Sequence, residues 1–474
     1  MNKKTYFFIG AGGIGMANLV RYFLSKGYDV AGYDRVRSEL STRLEQEGAN
    51  IIYDDDPRLI PIEFKDKGNT EVIFTPAIPV DNKIMTYYRS EGFDMHKRAW
   101  VLGEITRTLK GICVAGSHGK TTTSSMIAWI MAGTPGGCNA FLGGILRNID
   151  SNLIITPCSE YAVVEADEYD RSFHQLSPWL AVITSADPDH LDIYGNEENY
   201  LEAFSHFTSL IRPGGYLLLH TRLKVKPNIQ NGVKLYTYSG PENHTLPAEN
   251  QNNEQPDWYS ENLIYREGEL LFDLVGPDGF RIEQISLGVP VSINVDNAVA
   301  AGAAAYLAGA TKEEIRKGLE TFKGAKRRFE ILLQGAKDGA RAVLIDDYAH
   351  SPAEIEASIK SIRKLYPGKK LTVVFQPHLY TRTRDFAPEF AEALSHADET
   401  ILTEIYPARE LPIPGVTSQI ILDRMTGNAS LVPRKDLLNK IKITNFDILI
   451  TLGAADLDVL LPEICEILKQ DVVM

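Results

Sequence analysis

The chain has 474 residues, 44% of them hydrophobic and 23% charged, a composition that predicts two to four globular domains and excludes a fibrous or disordered protein. Its net charge of −13, without a long basic run, argues against nucleic acid or an anionic membrane as a main partner. The four scattered cysteines have no metal-ligand spacing, and we recognise neither a signal peptide nor a membrane-spanning stretch. We therefore expect a cytoplasmic protein.

The first pattern along the chain is a glycine turn between a β-prone run, residues 5–9, and a predicted helix, residues 16–25. The residues of the turn are Gly10, Gly12, Gly13, Ile14 and Gly15. Asp34 ends the next predicted strand, where an acidic partner for a ribose or a base is expected. Taken alone, this turn indicates a dinucleotide-dependent dehydrogenase, but it suits any diphosphate.

A second glycine loop follows the apolar run 111–115 and precedes a predicted helix, residues 122–131. Its residues are Gly116, Ser117, His118, Gly119, Lys120, Thr121 and Thr122. Backbone N–H groups and the helix N-terminus favour a phosphate, the lysine adds a positive charge, and the threonine hydroxyl can hold Mg²⁺. The loop is shorter than the usual P-loop. Because a dehydrogenase does not explain it, the two loops together predict two phosphorylated ligands, one of them ATP.

Two further candidate ligands lie at the ends of apolar strands. Glu165 ends the run 161–165, and His190 follows the run 180–184. Because parallel strands gather ligands at their carboxyl ends, these two side chains and Thr121 could share Mg²⁺ with the phosphates. A hydrogen-bonded turn histidine is the alternative for His190. The neighbouring acidic residues could equally form a solvated turn; these are Asp167, Glu168 and Asp170.

Polar residues also follow two strands of a third α/β segment. Residues 346–350 end the strand 342–345 before a helix capped by Ser351, and residues 376–384 end the strand 371–375. Arginines in such a cleft suit a carboxylate or a phosphate, whereas helix caps and surface arginines are the alternative. Residues 326–330 form either a hinge whose cations reach the ATP phosphates or a solvated linker.

These patterns predict an α/β fold of three domains. The predicted domains are a Rossmann-like N-terminal domain, residues 1–106, a P-loop-type central ATP-binding domain, residues 107–322, and a Rossmann-like C-terminal domain, residues 323–474. The central sheet should be mostly parallel. Short runs separated by polar turns between residues 216 and 287 predict a small antiparallel flank on it.

Taken in order, these motifs resemble the Mur ligases over nearly the whole chain, and within them the branch that adds alanine. Residues 189–190, 376–378 and 405–410 match motifs of this branch. The resemblance implies that ATP and Mg²⁺ drive the joining of L-alanine to the lactyl carboxylate of UDP-N-acetylmuramate through an acyl phosphate. We expect a monomer or a weak homodimer. A related ligase that attaches a preformed tripeptide, a nicotinamide dehydrogenase and a non-catalytic regulator remain as alternatives.

The resemblance also implies roles for individual residues. Thr121, Glu165 and His190 would bind the metal; the nucleotide contacts would be Arg328 to the phosphates, Asp347 to the ribose, and Asn294 and Asn297 to the adenine. Ser172 and Phe173 would meet the sugar nucleotide, together with the first glycine turn and Asp34. The amino-acid site would contain Tyr348, His350, Arg382 and Arg384, and the catalytic residues would be Lys120, Glu165, His190 and His350.

Three positions depart from the family pattern. Ile293 stands where the family has a histidine beside the adenine, and Ser351 replaces the second of two histidines. Leu379 stands where an arginine generally shares the amino-acid carboxylate with the position of Arg382, and Arg384 is a candidate to compensate for it.

Overall fold

The computed structural model describes residues 4–75, 78–79, 81–188, 191–241, 255–266, 268–408 and 410–470. By its internal contacts the chain divides into two compact units. The first contains the chain up to Glu261 with Asp273–Glu283 and Asp296–Phe322, and the second contains Asn262–Phe272, Gln284–Val295 and the chain from Lys323. The fold contains three β-sheets with helices between their strands, and the sheets follow one another along the chain.

The N-terminal sheet has five strands in the order β3-β2-β1-β4-β5, and its neighbouring strands pair in parallel. Every residue of the central strand β1 is buried, as its uninterrupted run of β-prone residues predicts. The elements are β1 Thr5–Ile9, α1 Ile14–Ser25, β2 Asp29–Tyr33, α2 Glu39–Gln46, β3 Asn50–Ile52, β4 Thr70–Phe74, α3 Lys83–Ser90, β5 Asp94–Lys97 and α4 Arg98–Thr108.

The central sheet has ten strands in the order β15-β14-β13-β12-β11-β10-β6-β9-β7-β8. Its first part contains β6 Lys110–Ala115, α5 Lys120–Ala132, β7 Asn139–Leu146, β8 Ser151–Ile154, β9 Tyr161–Ala166, β10 Leu180–Ile183, α6 Leu191–Tyr194 and α7 Glu197–Ser209. The later part contains β11 Tyr216–His220, β12 Lys234–Ser239, β13 Trp258–Arg266, β14 Glu269–Val275, β15 Arg281–Ser286, α8 Ser292–Leu307 and α9 Lys312–Thr321.

The prediction of antiparallel pairing is wrong for β11 and β12, the first two strands of the predicted flank. β11 pairs in parallel with β10, and β12 pairs in parallel with β11 and with β13. The connection between β11 and β12 is irregular rather than helical. Because a parallel crossover usually contains a helix, its absence from the sequence made an antiparallel pairing the natural interpretation.

The C-terminal sheet has six strands in the order β16-β17-β21-β18-β19-β20, antiparallel only between β16 and β17. Its first elements are β16 Glu330–Gln334, β17 Val343–Asp347, α10 Pro352–Leu365, β18 Leu371–Phe375, α11 Tyr380–Asp385 and α12 Ala387–Leu394. The remaining elements are β19 Glu399–Leu402, α13 Gln419–Leu422, β20 Ala429–Leu431, α14 Leu437–Ile443, β21 Ile448–Leu452 and α15 Leu461–Gln470. The cap predicted at Ser351 is confirmed as a capping box at the start of α10, and a second capping box at Thr311 begins α9.

Within the first unit, the first two sheets share one apolar core, which contains Phe8 and Val20 of the N-terminal sheet layer and Phe141 and Val164 of the central one. The buried Asn18 on α1 links the layers further, because its amide nitrogen donates to the carbonyl oxygens of Leu142 and Asn152. The glycine turn before α1 is thereby fixed relative to the central sheet. Among the described residues no helix has the length and apolar character needed to span a bilayer.

Candidate active site

The second glycine loop lies at the carboxyl end of β6 and leads directly into α5. Gly116 and Gly119 have φ angles of 147° and 80°, which side-chain-bearing residues rarely adopt. A Cβ on Gly116 would also collide with Thr184, the residue after β10. The loop therefore needs both glycines.

Hydrogen bonds from the end of β10 hold this short loop in place. The Ser185 hydroxyl oxygen accepts from the backbone N–H of His118 at 2.6 Å, and the Ser117 hydroxyl oxygen accepts from the N–H of Asp187 at 2.9 Å. The Thr184 hydroxyl donates to the carbonyl oxygen of His118. These hydrogen bonds fix the conformation of the loop, although it is shorter than the usual P-loop.

Lys120, the first residue of α5, forms an ion pair with Glu168. The Lys120 Nζ atom lies 2.8 and 3.0 Å from the two carboxylate oxygens, and it also donates to the carbonyl oxygen of Gly116. Only 15% of the lysine side chain and 2% of the glutamate side chain are exposed. Glu168 follows β9, the sheet neighbour of β6, so adjacent strand ends bring the two side chains together.

Thr121 and Glu165 meet beside this ion pair. The Thr121 hydroxyl donates to Glu165 Oε1 at 3.1 Å, and the N–H of Gly143 donates to Oε2 at 3.1 Å. Burial raises the pKa of the Glu165 carboxyl, an effect opposed by the positive charge of Lys120. A half-buried carboxylate and a hydroxyl at hydrogen-bonding distance are the kind of oxygen ligands that Mg²⁺ prefers, so these residues fit the predicted metal site.

The third predicted metal ligand, His190, lies outside the described residues. Among those that are described, no group of three or more histidine, cysteine, aspartate or glutamate side chains could hold a metal ion. The oxygen pair of Thr121 and Glu165 is therefore the part of the predicted site that can be described.

The first glycine turn is organised by Asp34 and Arg98. Asp34 Oδ2 accepts from the N–H of Gly12 at 2.7 Å, so this carboxylate is part of the turn itself. A Cβ on Gly15 would collide with the guanidinium of Arg98, which is 31% exposed. Sequence reasoning missed Arg98, a cation that lies directly on the predicted diphosphate turn.

The two predicted sugar-contacting residues have different surroundings. Ser172 is half-buried, whereas Phe173 is fully buried and stacks on Phe207 with ring centres 4.9 Å apart. The side chain of Phe173 thus belongs to the apolar core, which leaves its backbone as the part that a ligand can meet.

The asparagines predicted beside the adenine lie on α8, and both are buried. Asn297 Oδ1 accepts from the Thr123 hydroxyl of α5 at 3.0 Å, so Asn297 braces the helix of the phosphate loop. The amide nitrogen of Asn294 donates to the carbonyl oxygen of Val289 at 3.3 Å. Ile293, at the position where the resemblance implies a histidine, is 58% exposed.

In the second unit, two adjacent carboxylates end β17. Asp346 accepts from the Thr451 hydroxyl at 2.6 Å and lies 3.3 Å from Arg327, while burial raises its pKa to about 6. Asp347 accepts from the Ser358 hydroxyl, and burial raises its pKa as well. Both carboxylates are buried and are held in place by hydrogen bonds from hydroxyl groups.

The cations before β16 separate into two kinds. Arg327 donates to the carbonyl oxygens of Ala455 and Gly453, each at 2.7 Å, and is therefore a structural residue. Arg328 is exposed, with its guanidinium 5.2 Å from the ring centre of Tyr348. Of these two arginines, Arg328 is the one that matches the predicted cation that reaches a ligand.

His350 lies at the start of α10, where its backbone N–H donates to Glu354 at 3.0 Å. Its Nδ1 atom lies 3.0 Å from the carbonyl oxygen of Tyr348, an acceptor, so Nδ1 carries the proton in this contact. Burial lowers the pKa of the imidazole and favours its neutral form. The His378 ring lies 6.4 Å away and stacks on Tyr406. The residues that follow β17 and β18 therefore approach each other, but the two strands are not neighbours as expected, because β21 lies between them.

The two arginines of α11 differ in their surroundings. The exposed Arg384 donates to its neighbour Asp385 at 2.7 Å. The Nη1 atom of Arg382 is buried and has no hydrogen-bond partner among the described residues. Leu379, which caps α11, has φ 71°, a strained value for a residue with a side chain.

Comparison with known proteins identifies the family of this chain. Residues 5–110 match the model of the Mur ligase family catalytic domain, residues 114–305 match the Mur ligase middle domain, and residues 327–455 match the Mur ligase glutamate ligase domain. The UDP-N-acetylmuramate–L-alanine ligase of Phocaeicola vulgatus is 52% identical over 98% of each chain. The chain belongs to the Mur ligase family.

Other relatives agree with this membership. The UDP-N-acetylmuramate–L-alanine ligase of Parabacteroides distasonis is 50% identical over 100% of this chain and 99% of that protein. The crystal structure of the UDP-N-acetylmuramate-alanine ligase MurC from Thermotoga maritima is similar with a TM-score of 0.77, at 25% identity over 99% of this chain and 100% of that one. This similarity confirms the three-domain α/β fold.

In this Mur ligase, the sequence did not predict that Glu168 forms an ion pair with Lys120, because Glu168 could equally belong to a solvated acidic turn. One signal was present: Glu168 follows the strand β9, and the lysine loop follows β6. Both runs are apolar enough to lie inside a parallel sheet, but only the sheet order makes them neighbours.

Proposed function

We propose that this chain is a UDP-N-acetylmuramate–L-alanine ligase, which uses ATP to join L-alanine to the lactyl carboxylate of the sugar nucleotide in peptidoglycan precursor synthesis. The observation that carries the proposal is the 52% identity to the Phocaeicola vulgatus ligase over 98% of both chains. The organisation of the phosphate loop, with Lys120 and Thr121 at the start of α5, supports the use of ATP.

The chemistry that we propose has two steps. A lactyl carboxylate oxygen attacks the γ-phosphorus of ATP, the bond from that phosphorus to the β,γ-bridging oxygen breaks, and ADP leaves. The alanine amino group then attacks the acyl phosphate carbonyl carbon and gives up a proton, and phosphate leaves with the former carboxylate oxygen. A carboxylate is a poor acyl donor, and phosphorylation supplies the leaving group it lacks.

Within the first unit, the loop N–H groups and Lys120 would hold the triphosphate and offset the charge that develops on it. Thr121 and Glu165, with His190 as implied by the family resemblance, would hold Mg²⁺. A bound Mg²⁺ supplies further neutralisation of phosphate charge. The glycine turn, Arg98 and the segment at Ser172 would hold the sugar nucleotide.

Within the second unit, we propose that Arg328, Asp347 and Asn294 contact the nucleotide. His350, whose half-buried neutral ring keeps Nε2 unprotonated, would accept a hydrogen bond or a proton from the alanine ammonium, and Arg382 would bind the alanine carboxylate. The buried Nη1 atom of Arg382 supports this role, because a buried guanidinium nitrogen gains most from a charged acceptor.

The remaining expectations are part of the same proposal. The domain boundaries would be residues 1–106, 107–322 and 323–474. A cytoplasmic location fits the proposed nucleotide substrates, and the enzyme would act as a monomer or a weak homodimer.

Phosphate release with omission controls tests the function. Purified protein with ATP and Mg²⁺ should release phosphate only when UDP-N-acetylmuramate and L-alanine are both present, and the product mass should equal that of the sugar nucleotide plus alanine minus water. A faster rate with a preformed tripeptide would reverse the choice of acceptor. No release with any amino acid or peptide, despite ATP binding, would refute the proposal.

A further inference from the structure

Lys120 does not present a free positive charge to a nucleotide in this structure. Both carboxylate oxygens of Glu168 lie within 3.0 Å of its Nζ atom, and the carbonyl oxygens of Gly116 and Ser117 take up its other contacts. The carboxylate is almost completely buried, so its charge is poorly screened. A triphosphate that needs this lysine must compete with Glu168, and the two anions repel each other.

The segment that carries Glu168 is internally hydrogen-bonded. The N–H groups of Tyr169 and Phe173 donate to Asp167, and the Glu168 carbonyl oxygen accepts from the N–H of Arg171 and from the buried Tyr194 hydroxyl. Asp170 and Arg171 both have positive φ angles, 51° and 53°. Asp167 and Glu168 are consecutive residues of this hydrogen-bonded turn, so we expect a displacement of Asp167 to displace Glu168 as well.

The other end of this segment faces the N-terminal domain. The Asp167 carboxylate lies 3.8 Å from the guanidinium of Arg98, and the Asp170 carboxylate lies 3.2 Å from the Lys97 ammonium. Arg98 in turn packs on Gly15 of the first glycine turn. One guanidinium thus lies against the proposed diphosphate turn and beside the acidic segment that holds the lysine of the phosphate loop.

We propose that the segment Asp167–Asp170 couples the two nucleotide sites, so that UDP-N-acetylmuramate bound at the glycine turn releases Lys120 from Glu168 and thereby strengthens ATP binding. The diphosphate competes with Asp167 for Arg98 and repels the acidic segment, and the segment carries Glu168 away from the lysine. Glu168 is in this view a positioning residue for Lys120. The inference rests on the proposed function, because it requires the sugar nucleotide to bind at this turn.

Coupling is measured by calorimetry on the full chain with Mg²⁺, a non-hydrolysable ATP analogue and no amino acid. Saturating UDP-N-acetylmuramate should raise the affinity of the wild type for the analogue by about 5-fold or more, the range of ordinary allosteric coupling. The analogue should raise the affinity for the sugar nucleotide by the same factor, since coupling of two binding equilibria is reciprocal. A contact that does not couple the two sites would leave both affinities unchanged.

Two variants remove the coupling in different ways. Asp167→Asn, at a half-exposed position where folding is not at risk, should reduce the factor below about 2-fold. Glu168→Gln should bind the analogue more tightly than the wild type without the sugar nucleotide, and should gain little when it is added. Glu160→Gln is the matched control, because Glu160 is exposed and pairs with Lys110 at the opposite end of β9. It should keep the wild-type factor.

The outcomes separate the inference from the function. An unchanged coupling factor in Asp167→Asn, no tighter analogue binding in Glu168→Gln, or an equal loss in the Glu160→Gln control would overturn the inference while leaving the ligase function intact. If the wild type does not bind UDP-N-acetylmuramate at all, the proposed function itself fails, and the coupling fails with it.

Discussion

Replacing Lys120 by alanine should affect both stability and catalysis, and a second substitution should separate the two effects. The change removes the cation that both oxygens of the buried Glu168 carboxylate contact. Breaking a buried ion pair by removing one partner costs about 3–5 kcal/mol, and we expect about 3 kcal/mol here because the lysine is 15% exposed. The double variant Lys120→Ala/Glu168→Gln should regain most of this loss, because no buried charge is left unpaired.

Turnover should not be regained in the double variant. Loss of one group that stabilises the developing charge of a transition state costs about 10²- to 10³-fold in rate, so both variants should show at least this loss. The affinity for UDP-N-acetylmuramate should change by no more than the coupling factor of the two sites, because its turn lies in the N-terminal domain.

Tryptophan fluorescence during urea unfolding measures the stability change in the relevant part of the chain. All four tryptophans, Trp100, Trp129, Trp179 and Trp258, lie in the first unit, and Trp129 is on α5 itself. Phosphate release measures turnover, and calorimetry measures the sugar-nucleotide affinity. Equal stability of the single and double variants would refute the assignment of the ion pair, and wild-type turnover in either would refute the role of Lys120.

Three further predictions concern the metal, the amino acid and pH. Glu165→Gln should raise the Mg²⁺ concentration for half-maximal rate more than about tenfold, as removal of a ligand charge weakens the site, and an unchanged Mg²⁺ titration would contradict this. Arg382→Ala should raise the KM for L-alanine more than about tenfold. Arg384→Ala should change this KM less than about threefold, because the exposed Arg384 side chain pairs with Asp385. The reverse order would show that Arg384 takes the role of the arginine that the family resemblance implies at the position of Leu379. Asp346, with its pKa raised from 3.8 to about 6, favours folding while it is protonated, and this contribution is complete below pH 3.8 and is lost as the pH rises through 6. Relative to Asp346→Asn, the wild type should therefore lose about 2 kcal/mol between pH 4 and pH 7, measured by urea unfolding followed by circular dichroism, and a pH-independent difference would exclude the assignment.

Much of the fold could be predicted from local patterns. The strands β1, β6, β9, β17 and β18 are uninterrupted runs suited to the interior of a parallel sheet, and the capping boxes at Thr311 and Ser351 mark the starts of α9 and α10. The direction of β11 and β12 could not be predicted, because it depends on an irregular crossover whose residues have no distinctive pattern. Local sequence specifies an element better than it specifies the partner of that element.

The site divides in the same way. The glycine loops, Glu165 and the polar residues after β17 and β18 could be predicted as site residues from spacing and residue type. Glycines, a lysine and carboxylates at strand ends are recognisable in the sequence. The role of Glu168 depends on the burial of its side chain and on the adjacency of β6 and β9, and neither can be predicted from the sequence of an acidic turn. The strained backbone of Leu379 is equally hidden, because nothing distinguishes this leucine from one in ordinary conformation.

The central claim is that the lactyl carboxylate is phosphorylated before alanine attacks. UDP-N-acetylmuramate with ¹⁸O at both oxygens of its lactyl carboxylate tests this claim most directly, by mass spectrometry of the phosphate released in the complete reaction. Because the attacking carboxylate oxygen stays with phosphorus when the amine expels phosphate, the account predicts one ¹⁸O atom in each released phosphate. Unlabelled phosphate accompanied by the alanine product would contradict an acyl phosphate intermediate.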